Sequence, residues 1–316
     1  MGEIIASKPN QGEPWDVVVV GSGPSGLTAA IYTTRGAAST LILGGEKWGG
    51  QLMLTTAVDN FPGFPEGIMG PDLMTNMRKQ AERFGAEFVE KNAESIKRIK
   101  SLFEITAGGE RYLTKSVVIA TGAVTRWLDI PGIEKLIGRG VSSCALCDAP
   151  FFKGKRVVVV GGGDAAMEEA VVLAKYASEV LIIHRKNEFR ASAAMQKKVL
   201  TNPKIKIWWN SEVIKVTGED KLEKVVIQNN QTNKKEELVL DGLFVAIGHK
   251  PESDVFKGIV TTDEKGYIVI RNGSKTNVPG IFVSGDVHDQ TYKQAVTAAG
   301  YGCQAGMEVL KYLQEK

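Results

Sequence analysis

"RVVVVGGGDAAMEEA" (residues 156–170) repeats "DVVVVGSGPSGLTAA" (residues 16–30) at an offset of 140 residues. Each copy opens on four consecutive valines, the pattern of a strand buried on both faces. A glycine-rich turn follows, then a helix that begins with small residues. Gly21, Gly23 and Gly26 in the first copy, and Gly161, Gly163 and Ala166 in the second, occupy the small-residue positions of the dinucleotide fingerprint. The first position makes the tight turn and the second admits a pyrophosphate to the backbone. The third lets helix and strand pack closely, with phosphate at the helix N-terminus. A single copy would be weak, because any tight strand–helix turn can imitate it. Two copies, each directly after a valine strand, predict two Rossmann-like units.

The position about 20 residues beyond each loop separates the two sites. After the first, "STLILGGE" ends at Glu46, a carboxylate suited to ribose hydroxyls. After the second, "EVLIIHRKNEFR" carries His184, Arg185, Lys186 and Arg190. A solvated basic turn would explain one cation. A cluster where the discriminating residue belongs instead fits a ribose 2′-phosphate, so the second loop reads as an NADPH site. The first reads as the site of a different dinucleotide.

Outward from the repeats, "SVVIATGA" (residues 116–123) and "GLFVAIGHKP" (residues 242–251) are apolar strands ending in glycine turns. They bracket the second copy and read as twin crossings between domains. "GIFVSGDVHDQTYKQAVTAAGYGCQAG" (residues 280–306) gives another buried strand and a small-residue helix that packs tightly. "KIKIWWNSEVIKVTGEDKLEKVVIQNN" (residues 204–230) alternates as strands do. The expected fold is α/β with two Rossmann-like dinucleotide-binding domains in three layers. The second domain, residues 125–249, is inserted into a first made of residues 1–124 and 250–316.

With 316 residues and 43% hydrophobic content, the chain can build two cores. A net charge of +3 from interspersed residues points to no nucleic-acid or membrane surface. No apolar run approaches the roughly 20 residues that cross a bilayer. "MGEIIASKPNQGEPW" (residues 1–15) has no signal core and reads as a frayed leader. Met1 and Gly2 with Ser7 imitate a myristoylation start, but an ordinary N-terminus is the simpler reading. Three cysteines make no secreted disulfide framework, which points to the cytoplasm.

The chemistry concentrates in "CALCD" (residues 144–148). A zinc site needs four ligands, and Cys303, His184, His249 and His288 lie outside any zinc spacing, so no metal is expected. A buried inert pair is one reading of Cys144 and Cys147. A redox dithiol is the stronger one, since Cys-x-x-Cys permits a short disulfide and a depressed thiol pKa. Asp148 beside it is either a proton carrier or a turn-capping residue. Cys303 reads as a packing residue of the C-terminal helix.

From about residue 16 to the C-terminal helix, the chain resembles the low-molecular-weight thioredoxin reductases of the two-dinucleotide-binding flavoprotein superfamily. The resemblance rests on "GSGPSG", "GGQL", "NFPGFPEGIMGPDLM", "ATGA", "CALCD", "GGGDAAMEEA", "HRKNEFRA", "FVAIGHKP" and the segment from "SGDVHDQ" onward, in order. It implies FAD on Gly21, Gly23, Pro24, Ser25 and Gly26, with Glu46 at the adenosine ribose. Gly50, Gln51 and Asn60 would line the flavin side. Asp286 would meet the ribityl or pyrophosphate region, with Gln294 and Ala295 near the isoalloxazine ring, and Thr121, Gly122, Gly285 and Lys293 would also bind FAD. NADPH would lie on Gly161, Gly163, Asp164, Ala165 and Ala166, with His184, Arg185, Lys186, Arg190, Ile247 and Gly248.

The resemblance also implies a reaction: hydride from NADPH to FAD, then two electrons onto Cys144–Cys147 with Asp148 moving protons. Exchange with a disulfide on thioredoxin, or on a thioredoxin-like or glutaredoxin-like protein, would follow, in a homodimer. Cys147 is expected to approach the flavin; which thiolate attacks the partner stays open. The family rotates its NADPH domain between half-reactions, here about the crossings at residues 122–125 and 248–252. This chain departs from the family pattern in its Ala-Leu spacer, in Lys186 and Asn187, and in Ala165. Lysine lacks the bidentate geometry of arginine, so a moderate preference for NADPH over NADH is expected. The same fold also serves non-NADPH donors and small-molecule dithiol oxidation, alternatives that the two intact loops disfavour.

Overall fold

The computed structural model describes residues 6–316. The chain divides into two compact units, Met1–Val124 with Lys250–Lys316, and Thr125–His249. In the first, a parallel sheet runs in the order Glu87–Val89, Thr40–Leu43, Trp15–Val20, Glu110–Ile119, Ile281–Val283. The valines at 17–20 are buried on both sides, which is why the strand shows no alternation. One face packs on helices Pro24–Arg35, Gly70–Arg83 and Ala295–Gln314, through residues such as Val17, Val19, Leu27, Met74 and Val309. The other face, with Val18 and Val20, is covered by Phe103 and Ile105 and by Phe256, Val260 and Ile268. Phe103 and Ile105 lie on Leu102–Ala107, which pairs antiparallel with both Ala93–Ile99 and Glu110–Ile119. Each fully buried valine contributes about 1.5 kcal/mol or more.

The second unit repeats the plan. Its parallel sheet runs Val141–Ser142, Gly242–Val245, Arg156–Val160, Glu179–Ile183, Ile205–Trp208. Helices Asp164–Leu173 and Ala193–Leu200 cover one face. An antiparallel sheet of Ser211–Thr217, Lys224–Asn229 and Lys235–Val239 covers the other. The alternation read in residues 204–230 thus becomes one parallel edge strand and two antiparallel ones. The two chain crossings, Ala123–Thr125 and His249–Pro251, pair with each other as a two-stranded sheet.

The small-residue C-terminal helix packs tightly on the first helix. A Cβ on Gly302 would stand 2.2 Å from the Ser25 carbonyl oxygen, and one on Gly306 would stand 2.8 Å from Tyr32 Cβ. The expected frayed leader is corrected in part. Ala6 is buried, and its N–H donates to the Phe84 carbonyl at 3.0 Å. The myristoylation start at Met1 and Gly2 lies outside the described residues. Among the described residues, no helix is long and apolar enough to cross a membrane.

Candidate functional site

The cysteine pair sits on one short turn of helix, Ala145–Asp148, in the second unit. Cys144 and Cys147 are joined by a disulfide, their Cα atoms 5.3 Å apart. Cys144 caps the turn in an extended conformation, and its sulfur accepts the Cys147 N–H at 3.2 Å. The Cys144 N–H donates to Ser142 Oγ at 3.0 Å. Ser142 also hydrogen-bonds Asp148, but burial dominates and pushes the Asp148 carboxyl above the usual carboxylate range. A carboxyl that keeps its proton to higher pH is suited to proton transfer beside a dithiol. Between the cysteines, Leu146 is 70% exposed and faces solvent, while Ala145 is buried.

The turn has a second carboxyl that the sequence did not single out. Glu169, on helix Asp164–Leu173, accepts the Ala145 N–H at 2.9 Å. Burial lifts its carboxyl to about 7, with Asp148 and Glu168 adding repulsion against the pull of the Ala145 bond. In the sequence it reads as one of two adjacent helix glutamates, ordinarily a solvated pair.

The two glycine loops repeat in detail. Gly21 has φ 114° and Gly161 φ 155°, which side chains rarely adopt. A Cβ on Gly21 would stand 2.2 Å from the Ala120 carbonyl oxygen, and one on Gly161 2.5 Å from that of Ala246. Gly26 is as tight, 2.1 Å from the Gly21 carbonyl oxygen, and Ala166 fills the matching place in the second loop. A Cβ on Gly23 or Gly163 would meet nothing within 4 Å, leaving room for a ligand. Each of these glycines caps a helix without a side-chain hydrogen bond, Gly23 ahead of Pro24 and Gly163 ahead of Asp164, Ala165 and Ala166. Such N-termini suit phosphate.

Near the first loop, Gly285 has φ 76°, and a Cβ there would meet Ser25 Oγ at 2.7 Å. Ser284 Oγ and Asp286 Oδ1 are buried without hydrogen-bond partners among the described residues. Buried polar atoms are normally partnered, so these two, with His288 Nε2, are exceptions that call for an explanation. Burial, helped by Asp289, pushes Asp286 up to about 6. Gln51 Nε2 donates to the Ala123 carbonyl at 2.5 Å and Asn60 Nδ2 to Gln294 Oε1 at 3.3 Å, while the Thr121 hydroxyl donates to the Glu252 carbonyl at 2.6 Å. Gln294 caps the helix that starts at Ala295, and Lys293 before it adopts φ 48°. Gly50 and Gly122 also have positive φ, and Glu46 is exposed just beyond its strand. The structure thus gathers the residues expected around the first dinucleotide into one unit.

In the second unit, Arg185, Lys186 and Arg190 are exposed, and among the described residues none pairs with a carboxylate. Their loop is held by the Arg190 N–H to the Gly162 carbonyl at 2.8 Å and by Asn230 Nδ2 to the Arg185 carbonyl at 2.9 Å. His184 does not join them. It is buried, its Nε2 lies 2.9 Å from the Glu188 carbonyl, and burial lowers its pKa. The imidazole fills the space over Gly162, where a Cβ would come within 2.1 Å of the ring. Ile247 is partly exposed, and Gly248, with φ 104°, lies between the strands Gly242–Val245 and His249–Pro251.

Cys303 is a free, half-buried thiol on the C-terminal helix, 3.9 Å from Met307 Sδ, and contact with it pushes the Tyr32 phenol up. A Cys303→Ser chain is expected to keep its melting temperature within a few degrees and most of its turnover. Complete loss of activity would contradict this packing role. Among the described residues, no cluster of His, Cys, Asp or Glu could hold a metal.

Duplicated dinucleotide loops, with a disulfide one strand ahead of the second, are the plan of a nucleotide-dependent disulfide oxidoreductase. Known proteins agree. A pyridine nucleotide-disulphide oxidoreductase profile matches residues 15–302. A thioredoxin reductase of Streptomyces clavuligerus is 47% identical over 94% of this chain and 94% of its own length. A protein of Mycobacterium leprae named a bifunctional thioredoxin reductase/thioredoxin is 44% identical over 95% of this chain and 66% of its own. The crystal structure of a Streptococcus pyogenes thioredoxin reductase superposes with a TM-score of 0.92 at 36% identity, covering 96% of this chain and 99% of that one. The chain belongs to the pyridine nucleotide-disulphide oxidoreductase family and, within it, to the thioredoxin reductases.

Proposed function

We propose that this oxidoreductase takes electrons from NADPH, through FAD and the Cys144–Cys147 disulfide, to a disulfide of thioredoxin or a thioredoxin-like protein. The observation that carries the proposal is the disulfide on a half-buried turn with Leu146 exposed, backed by Ser142, Asp148 and Glu169. FAD belongs to the first unit, where the room at Gly23 and the orphaned Ser284 Oγ and Asp286 Oδ1 fit its pyrophosphate and hydroxyls. When bound, it accepts a hydride and yields an electron pair to a disulfide. NADPH belongs to the second unit, its pyrophosphate at Gly163 and its 2′-phosphate against Arg185, Lys186 and Arg190. His184, neutral and buried, supports that loop by packing.

The chain's own groups complete the exchange. Reduction opens the Sγ–Sγ bond and leaves two sulfurs that need protons, and Asp148 delivers one and recovers it later. One thiolate then attacks a sulfur of the partner's disulfide, forming a mixed disulfide that the other cysteine resolves. Leu146 offers the partner an apolar contact between the two sulfurs. The thioredoxin fused to a reductase in the name of the Mycobacterium leprae relative supports that partner. Rotation about the crossings, between glycines with positive φ at 122 and 248, would present the two halves of the chemistry in turn. We place the enzyme in the cytoplasm as a homodimer.

Anaerobic mixing of the flavin-loaded protein with NADPH, and separately with NADH, tests the donor. Fast flavin bleaching with NADPH and slower bleaching with NADH is expected. An Arg185→Ala chain should lose about tenfold in NADPH affinity, or roughly 1.4 kcal/mol, with NADH unchanged. Bleaching by neither nucleotide would overturn the donor and turn attention to a non-NADPH donor or to small-molecule dithiol oxidation.

A further inference from the structure

Glu169 backs the redox turn but has no step of its own in the exchange described above. It belongs to the helix that follows the second loop, yet its carboxylate reaches the amide directly after Cys144. The free N–H groups of a helix's first turn are the donors that stabilise a thiolate capping it. Glu169 takes one of those donors for itself and sets its carboxyl on the amide that follows Cys144, on the turn where reduction forms a thiolate.

We propose that Glu169 is a positioning residue whose charge sets how readily the Cys144–Cys147 disulfide is reduced. The role rests on reading that pair as the redox centre. The charged groups that act on Glu169 are Asp148 on the redox turn and Glu168 on its own helix, both acidic. With its carboxyl lifted to about 7, Glu169 is neutral below that pH and ionised above it. Reduction breaks the Sγ–Sγ bond with two electrons and gives two thiols on uptake of two protons, or a thiol and a thiolate on uptake of one. An ionised Glu169 opposes the thiolate and so disfavours the reduced state. A neutral one leaves it unopposed, and stabilising the reduced form makes a disulfide more oxidising. Glu169 thus ties the reducibility of the pair to pH across the neutral range.

The test equilibrates the flavin-loaded chain with mixtures of reduced and oxidised dithiothreitol, without oxygen or NADPH, from about pH 5.5 to about 8.5. The dithiol gives up two electrons and two protons as it closes to its cyclic disulfide. Alkylation counts the thiols formed. Glu169→Gln keeps an oxygen for the Ala145 N–H and loses the charge. It should be about tenfold more readily reduced than the wild type at the alkaline end, about 30 mV, and should converge with it at the acid end. Glu169→Ala should show the same loss of pH dependence. Superimposable wild-type and Gln curves at every pH would overturn the proposal, as would a shift in the Ala chain alone, which would make Glu169 a hydrogen-bond acceptor only. Because dithiothreitol reads the pair directly, a wild type that fails to reduce thioredoxin with NADPH would strike the proposed function and leave this result standing.

Discussion

A Cys147→Ser chain is expected to lose NADPH-driven reduction of a protein disulfide by about 1,000-fold or more, with the fold intact. The sulfur is not a structural staple. The disulfide joins cysteines three positions apart at a half-buried turn whose neighbours hold it through Ser142 and Glu169. Its removal therefore takes little from either core. What it removes is the second sulfur, without which the pair cannot store two electrons and a mixed disulfide with the partner cannot be resolved. Cys144→Ser and the double variant should fall by about the same factor, because the two sulfurs act as a unit and their losses do not add. NADPH-driven reduction of ferricyanide, which needs no dithiol, should stay within about twofold of the wild type. Retention of a tenth or more of the disulfide reductase activity would remove Cys144–Cys147 from the pathway. Loss of the ferricyanide activity as well would mean that the substitution had damaged the nucleotide sites.

The parts of this molecule that could be read in its sequence are those whose physics is local. Four valines in a row can be buried on both faces only in the middle of a covered parallel sheet, and both runs are found there. The glycines at 21 and 161 are set by backbone geometry and by the carbonyl each one faces, so residue type alone exposes them. Groups whose role depends on a distant element stayed hidden. Glu169 is one of two adjacent acids on a helix, and only the packing of that helix under the redox turn distinguishes it. Ser284 is a hydroxyl at the end of an apolar strand, unremarkable until its lack of a partner is seen. His184 sits in sequence beside Arg185 and Lys186 and reads as a third cation. In the fold it turns inward just past the strand Glu179–Ile183, because Gly162 leaves space for a ring. Ala6 reads as leader because the segment around it has no signal core, while its partner, the Phe84 carbonyl, is remote in the chain.

Two alanine substitutions in one loop should separate fold from cofactor. Gly21→Ala puts a Cβ 2.2 Å from the Ala120 carbonyl oxygen at φ 114°, against backbone that cannot yield as a side chain would. The strand Trp15–Val20 and its neighbour Glu110–Ile119 must shift, and the expected loss is about 2–4 kcal/mol in the flavin-free protein. A fall of about 1 M or more in the urea midpoint of the transition that reports the first unit would record it. Gly23→Ala differs in every respect that matters. Gly23 has φ −68°, which alanine adopts freely, and its Cβ would meet nothing within 4 Å. Stability of the flavin-free chain should change by only a few tenths of a kcal/mol, as expected for glycine and alanine at a helix cap. The new methyl instead occupies the room left for the pyrophosphate, and FAD affinity should drop on the order of 100-fold, about 2.7 kcal/mol. Gly163, with φ −100° and equally open space, supplies the matching control: Gly163→Ala should weaken NADPH and leave FAD in place. If Gly23→Ala bound FAD as tightly as the wild type, the open space at that glycine would not be the pyrophosphate site. The assignment of FAD to the first loop would then fall while the fold argument from Gly21 survived, since that argument depends on the Ala120 carbonyl alone.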